Sequence, residues 1–217
     1  MASVRWEKRL CIRGFSGRCK ADLLADPAHR PHRLRRQPYQ SFSAFAGNPY
    51  FIDYRLLVAD DLLTADEIPA EKPVGSVDYG ALYNERPVIL KKAADRLLAA
   101  PSPAYKAFCK EQAFWLEDYA LFMAVKTAQG QAGLADWPDD LRCRKPEAIA
   151  AAKQRLAGAV DYYKAVQFFF YTQWNALKAY ANGKGVRLVG DIPIYVSRIP
   201  AICGPTRNCS RPMARCT

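Results

Sequence analysis

The apolar positions in the middle of the chain recur at helical spacing in two long stretches. The first, residues 103–128, has a wide apolar face that predicts a well-buried helix. This face consists of Phe108, Trp115, Leu116, Tyr119, Phe122 and Met123. The second stretch begins near Pro146, a good residue for a first helical turn, and ends at Asn182 and Gly183. Its apolar positions are Leu156, Val160, Tyr163, Phe170, Trp174 and Leu177.

A short apolar stretch follows the second predicted helix. Residues 186–189 predict a strand, and their apolar character suits a strand that is covered on both faces. A long helix, a turn with glycine and a buried strand together form one α/β unit. Asp191 comes just after this strand, where barrels and open α/β sheets place their chemistry. The alternative is an aspartate that only caps the following turn.

Shorter elements precede these two helices. Residues 47–49, Gly-Asn-Pro, predict a turn. Residues 58–68 predict a short helix that ends before Pro69. Residues 77–100 predict a loop followed by a helix, with helical spacing from Ile89 onward. The pattern as a whole predicts an α/β protein whose middle is mostly helical.

The net charge of +11 is carried by the two ends of the chain. Residues 1–37 contain ten Lys or Arg and three Asp or Glu, residues 198–217 contain four Arg and no acid, and residues 38–197 are neutral. The composition therefore predicts three pieces. They are a poorly ordered basic head over 1–37, a globular middle over 38–197 and a poorly ordered basic tail over 198–217.

The two ends also leave a second class of function open, a nucleic-acid-binding or zinc-binding module. Its arginines would contact phosphates, and its zinc ligands would come from the histidines and cysteines of the ends. The candidate ligands are Cys11, Cys19, His29, His32, Cys203, Cys209 and Cys216. Their spacing does not match the usual Cys-x2–4-Cys knuckle, and arginine runs are typical of solvated segments. We therefore expect neither a metal nor a nucleic-acid partner.

No apolar run in the sequence is long enough to span a bilayer. The first fifteen residues are basic but lack the continuous apolar region of a signal peptide. We expect a cytoplasmic location and no membrane partner, and the sequence leaves the oligomeric state open.

Four segments resemble the amylomaltase family, the 4-α-glucanotransferases of the α-amylase superfamily. They are PYQSFSAFAGNPYFID (38–53), VDYGALY (77–83), FWLEDYALFMAVK (114–126) and GDIPIYV (190–196). The resemblance implies a fragment of a (β/α)8 barrel with helical insertions, mostly helical in the part present. It implies a retaining transfer of α-1,4-glucan segments between maltooligosaccharides, in which one carboxylate attacks and a second acts as acid and then base. It implies no cofactor and no metal.

Three substrate-binding residues follow from this resemblance. Tyr39 matches a tyrosine that lies against a donor-side sugar ring, although a packed core tyrosine would fit the same position. Tyr83 matches a tyrosine at a second, surface glucan site, and the alternative is an ordinary exposed aromatic. Asp191 matches the carboxylate that shapes the subsite beside the cleaved bond. Glu117 and Asp118 lie on a predicted helix, where we expect structural hydrogen bonds.

Neither of the two catalytic carboxylates that the resemblance implies is present in the part of the chain that resembles the family. The resemblance implies a nucleophile in an Arg-x-Asp-His type segment well beyond Asp191 and an acid/base further on, and neither segment is present. We therefore expect this chain to be inactive by itself.

Both ends of the chain can be explained by a shifted reading frame. Codons can be chosen for residues 199–210 that, read with the frame shifted by one nucleotide, encode Asp-Ser-Gly-Asp-Met-Trp-Ala-Asp-Pro-Glu-Leu-Phe. This peptide resembles the family's continuation. Codons chosen for residues 25–36 and regrouped in the same way encode Gln-Ile-Leu-Pro-Ile-Gly-Pro-Thr-Gly-Tyr-Gly, which resembles the family segment that precedes residues 38–42. We interpret both ends as coding sequence read out of frame.

Overall fold

The computed structural model describes residues 23–26, 42–69 and 79–190. These residues form two β-strands, β1 (Leu23–Asp26) and β2 (Arg187–Gly190). They also form seven α-helices: α1 (Tyr54–Ala59), α2 (Tyr79–Ala99), α3 (Pro103–Glu111), α4 (Ala113–Ala128), α5 (Asp139–Arg142), α6 (Pro146–Arg155) and α7 (Ala157–Gly183). Short 3-10 turns lie at Pro49–Phe51, Ala65–Glu67 and Leu134–Asp136.

The two strands pair in parallel, with Leu23 opposite Arg187 and Asp26 opposite Gly190. The predicted strand at 186–189 is thus confirmed with a shift of one residue. The expected cover on both faces is wrong, because the side chain of Val189 is 47% exposed. In the described part of the chain β2 has one neighbouring strand, which pairs with one of its edges, and the face that carries Val189 is exposed.

Strand β1 lies inside the basic head that composition separates from the middle. The rest of the head, including all ten of its basic residues, and the whole basic tail fall outside the described residues. The poor order expected of the two ends therefore stays a prediction.

Helix α7 is the centre of the helical part, because both larger hydrophobic clusters pack on it. One cluster joins α1, α2, α3 and α7 around Leu90, Phe169 and Phe170. The other joins α4, α5, α6 and α7 around Val125 and Val160. Burial of such side chains contributes about 1.5–3 kcal/mol each. None of the described helices is both long and apolar enough to cross a membrane.

Each of the two long helices predicted from periodicity is two helices in the structure. The first is interrupted at Gln112, with φ −95° and ψ 8°, and the second at Leu156, with φ −108° and ψ 18°. At each position the preceding helix ends with a last i to i−4 hydrogen bond, from the N–H of Gln112 to the carbonyl of Phe108 and from the N–H of Leu156 to that of Ala152, and the next helix begins one residue later. Neither Gln112 nor Leu156 is a glycine or a proline, the residues that usually mark a kink. The apolar spacing also continues across both positions, so the sequence does not reveal the two breaks.

The first two helices also depart from the prediction. Helix α1 begins at Tyr54, four residues before the predicted start, because the Asp53 carboxylate accepts a hydrogen bond from the N–H of Arg55 and caps the helix. It ends at Ala59, so the predicted helix over 58–68 is wrong for most of its length, and a 3-10 turn lies at Ala65–Glu67 instead. Helix α2 begins at Tyr79, where we expected a loop, and continues through Pro87. Proline has no N–H to donate to the carbonyl of Tyr83, yet the packing of α2 on α7 retains the helix.

Candidate functional site

The segment 42–53 lies against α7 as a buried chain that forms neither a strand nor an α-helix. Its own side chains shape it locally. The hydroxyl of Ser43 accepts hydrogen bonds from the N–H groups of Phe45 and Ala46, at 3.1 and 3.2 Å. The side-chain oxygen of Asn48 accepts from the N–H of Tyr50 at 3.0 Å and caps the 3-10 turn. Buried backbone groups need partners, and this segment obtains many of them from side chains of neighbouring helices.

Two glutamines of α7 each hold the backbone of one residue in this segment. The N–H of Gly47 donates to Oε1 of Gln167 at 2.8 Å, and Nε2 of Gln167 donates to the carbonyl of Gly47 at 3.1 Å. Gln173 does the same for Asp53, at 2.7 and 3.0 Å. We call these two pairs the glutamine clamps. Both glutamines are buried, with 1% and 5% of their surface exposed.

Close packing reinforces the clamp at Gly47. The ring of Phe170, on the same helix, lies so near that a Cβ built on Gly47 would be 1.9 Å from its Cδ1. The backbone at this position is not in the left-handed region, so glycine is required here for space alone. Tyr171 adds a further bond, donated by its hydroxyl to the carbonyl of Phe45 at 2.5 Å.

Arg86 of α2 holds two further backbone carbonyls of the same segment. Its Nε donates to the carbonyl of Pro49 at 2.9 Å, and its Nη2 donates to the carbonyl of Ile52. Its guanidinium lies over the ring of Tyr54, with Cζ 4.5 Å from the ring centroid. Burial lowers the pKa of Arg86, which nevertheless stays charged because the guanidinium of arginine does not lose its proton in proteins.

A groove of about 1210 Å³ opens beside the segment. Its walls are the segment 42–53, α2, α4 and the first half of α7. The aromatic side chains that line it are Phe42, Tyr50, Tyr83, Tyr119, Tyr162 and Tyr163. Such a mixture of apolar ring faces and a few polar tips is typical of a small-molecule binding site.

The polar groups that line the groove are both charged and uncharged, and the charged ones are Arg86, Lys91, Lys92, Asp95, Lys126 and Asp161. The hydroxyls of Tyr163 and Thr127 are 2.7 Å apart and share a hydrogen bond. Burial raises the pKa of Tyr163, against a lowering by this hydrogen bond, and the neighbouring Tyr83 raises it further. Burial also raises the pKa values of Tyr119 and Tyr162. These phenols therefore stay protonated at neutral pH, and those of the half-buried Tyr162 and Tyr163 can donate hydrogen bonds to hydroxyl groups of a ligand, whereas Tyr119 is fully buried.

The structure places one of the three predicted substrate-binding residues. Tyr83 lies on α2 with 38% of its surface exposed and lines the groove. Tyr39 and Asp191 lie outside the described residues. Strand β2 ends at Gly190, so its carboxyl end leads directly into Asp191.

The expected structural role of Glu117 and Asp118 is confirmed. Lys164 on α7 donates to Oε1 of Glu117 at 2.6 Å. Arg144, just before α6, donates to Oδ1 of Asp118 at 2.7 Å. The two ion pairs fasten α4 to its neighbours and leave both carboxylates engaged.

Within residues 23–26, 42–69 and 79–190, no group of three or more His, Cys, Asp or Glu side chains could hold a metal ion. The candidate zinc ligands, at positions 11, 19, 29, 32, 203, 209 and 216, all lie outside these ranges.

The sequence analysis did not identify Gln167, Gln173 or Arg86. A signal for the two glutamines is present: they fall among Val166, Phe170 and other apolar positions of a helix face, where an uncharged polar residue needs a buried partner. Arg86 has no comparable signal, because an arginine in a helix is ordinarily solvated.

Comparisons with known proteins converge on one family. A family model described as 4-alpha-glucanotransferase matches residues 22–201. A 4-alpha-glucanotransferase of Thermus thermophilus is 45% identical over 164 residues, which cover 74% of this chain and 32% of that protein. A 4-alpha-glucanotransferase of Clostridium butyricum is 41% identical over 165 residues, which cover 74% of this chain and 34% of that protein. The chain thus spans about a third of the length of these relatives.

A solved structure, an amylomaltase from Streptococcus agalactiae in complex with acarbose, superimposes with a TM-score of 0.83. It is 33% identical, and the match covers 88% of this chain and 40% of that one. The predicted fold class, part of a (β/α)8 barrel with helical insertions and mostly helical here, is confirmed. The alternative of a nucleic-acid-binding or zinc-binding module receives no support from these comparisons.

Proposed function

The chain belongs to the 4-alpha-glucanotransferase family, and from that premise we propose that it is part of an enzyme that transfers α-1,4-glucan segments between maltooligosaccharides. The observation that carries the proposal is the aromatic groove beside the segment 42–53, with Tyr83 in its wall. A cytoplasmic location belongs to the same proposal and rests on sequence alone.

The chemistry of the groove suits an uncharged glucan. The C–H faces of glucose rings are apolar and pack well on aromatic side chains such as Tyr83 and Phe42. The rims of the rings carry hydroxyls, which exchange hydrogen bonds with protonated phenols and with the Tyr163–Thr127 pair. The amylomaltase from Streptococcus agalactiae was solved with acarbose, which supports a carbohydrate ligand for the family.

Tyr39 and Asp191 belong to the proposed active-site subsites, whereas Tyr83 belongs to the proposed second, surface glucan site. Tyr39 is three residues before the described segment 42–53 and would contact a donor-side sugar. Asp191 follows the carboxyl end of β2, the end of a barrel strand at which barrel enzymes bind substrate. Both roles rest on the family resemblance.

Binding to the groove is testable with maltoheptaose and the 217-residue chain. We expect Tyr83→Ala to weaken the affinity, measured by isothermal titration calorimetry, about tenfold, because one aromatic contact of about 1.4 kcal/mol is lost. Tyr83→Phe keeps the ring and should bind within about threefold of wild type. Tyr180, an exposed tyrosine of α7 outside the groove, provides the control Tyr180→Ala. Equal effects of the two alanine substitutions would contradict the proposed site.

Catalysis by the chain alone is not expected. The transfer requires two carboxylates about 5–5.5 Å apart, and in the matching part Asp191 alone corresponds to a carboxylate of the active site. We predict that the purified chain releases no glucose from maltotriose, and glucose release would contradict this.

We further propose that residues 25–36 and 198–217 are read out of frame in the gene. The DNA sequence around codons 25–38 and 196–200 tests this directly. A gene in which restored frames do not continue into the family's sequence would refute the proposal.

A further inference from the structure

We propose that Gln167 and Gln173 are positioning residues for glucan binding. They fix the segment 42–53, which forms the wall of the groove that faces Tyr83. The inference rests on the proposed function and names two residues that act through the segment 42–53. Its basis is a juxtaposition: the glutamine clamps hold Gly47 and Asp53, and three residues between these two, 48–50, line the groove.

The bonding pattern requires an amide side chain. Each glutamine accepts a hydrogen bond from an N–H and donates one to the carbonyl of the same residue, as a neighbouring β-strand would do. A carboxylate can accept only, and an aliphatic side chain does neither. A methionine of similar volume would fill the same space, so packing alone does not explain glutamine at these two buried positions.

The spacing of the two clamps fixes the geometry of the wall. Gln167 and Gln173 are six residues apart on α7, about 9 Å along the helix axis. Gly47 and Asp53 are also six residues apart, and the 3-10 turn Pro49–Phe51 lies between them. A rigid helix therefore sets the distance between both ends of the turn that presents Asn48, Pro49 and Tyr50 to the groove.

The test exploits the protonation of glutamate. A protonated glutamic acid has one acceptor and one donor and can reproduce the clamp, whereas its carboxylate would face the carbonyl of Gly47. Besides this backbone, the amide of Gln167 contacts the hydroxyl of Tyr119, whose pKa is raised by burial, so that hydroxyl does not titrate between pH 5 and pH 8. Gln167→Glu should thus restore the clamp at low pH and break it at high pH.

The experiment is maltoheptaose titration of the 217-residue chain at pH 5 and pH 8. We expect wild type and the exposed-site control Gln154→Glu to bind equally at both pH values. Gln167→Glu should bind like wild type at pH 5 and at least about tenfold more weakly at pH 8. Hydrogen exchange of the Gly47 amide should accelerate in parallel, while the far-ultraviolet circular dichroism stays unchanged.

The outcomes separate the two proposals. No binding by folded wild type would refute both, as would binding that Tyr83→Ala leaves unchanged. Binding that depends on Tyr83 but is the same at both pH values in Gln167→Glu would refute the positioning role alone. If Gln167→Glu does not fold at pH 8, Gln173→Glu gives the same comparison at the less buried clamp.

Discussion

Replacement of Gly47 by alanine tests the packing of the segment 42–53 on α7. The new Cβ would lie 1.9, 2.2 and 2.3 Å from three carbons of the Phe170 ring. Carbon atoms pack best at about 3.5–4.0 Å, so the overlap is roughly 1.6 Å. Phe170 is 2% exposed and is stacked against Trp174, with ring centroids 6.2 Å apart, so it has little room to move. We expect a loss of about 3 kcal/mol in the free energy of unfolding, the upper part of the range for overpacked cores.

The assay is urea unfolding followed by tryptophan fluorescence and circular dichroism. With a slope of about 2 kcal/mol/M, a loss of 3 kcal/mol lowers the midpoint by about 1.5 M. Gly158→Ala is the matched control, because nothing lies within 4 Å of the built Cβ and the residue is in a helix. It should stabilise the chain by less than about 1 kcal/mol. The double variant Gly47→Ala/Phe170→Leu should show a coupling of at least about 1 kcal/mol, since the smaller side chain relieves the overlap. An unchanged midpoint in Gly47→Ala would refute the reasoning.

Two further predictions concern buried and surface charge. Arg86→Met should lower the free energy of unfolding by about 3 kcal/mol, because the carbonyls of Pro49 and Ile52 lose a charged donor. The stability of Arg86→Lys should lie between those of wild type and Arg86→Met. Equal stability of the three proteins would contradict this role of Arg86. Hydrogen bonding from Arg96 lowers the pKa of Glu67 from 4.5 to about 2, so the ion pair stabilises the fold fully above pH 4.5 and loses its effect as the pH falls through 2. The urea midpoints of wild type and Glu67→Gln should therefore differ at pH 6 and converge near pH 2, and a constant difference would argue against it.

Much of the helical architecture could be predicted from the sequence, because long amphipathic helices reveal themselves in the spacing of their apolar residues. The breaks at Gln112 and Leu156 could not, because the apolar spacing continues across them and neither residue is a glycine or a proline. Strand β1 was also missed. Its partner β2 is far away in the sequence, and the composition around β1 favours a solvated segment over a strand.

The candidate site divides in the same way. Tyr83 could be found because it lies in a segment that resembles a known family. The clamps could not be assigned from sequence, because each joins a glutamine to a backbone 120 residues away and a backbone bond has no residue type to recognise. Gly47 shows the same limit. Together with Asn48 and Pro49 it predicts a turn, whereas in the structure glycine is required because a Cβ would overlap the ring of Phe170.

The glutamine clamps also bear on how the parallel strand pair is assembled. Leu23 and Arg187 are 164 residues apart, and closing a loop of that length opposes pairing through lost chain entropy. Once the clamp between Gly47 and Gln167 has formed, the 120 residues between them no longer count toward the loop, and an effective loop of 44 residues remains to be closed. The entropic cost of loop closure then falls by about 1.2 kcal/mol, roughly a sevenfold gain in the pairing equilibrium. We therefore expect the helical part to fold first and the two strands to pair late, with variants that break this clamp slowing the last step.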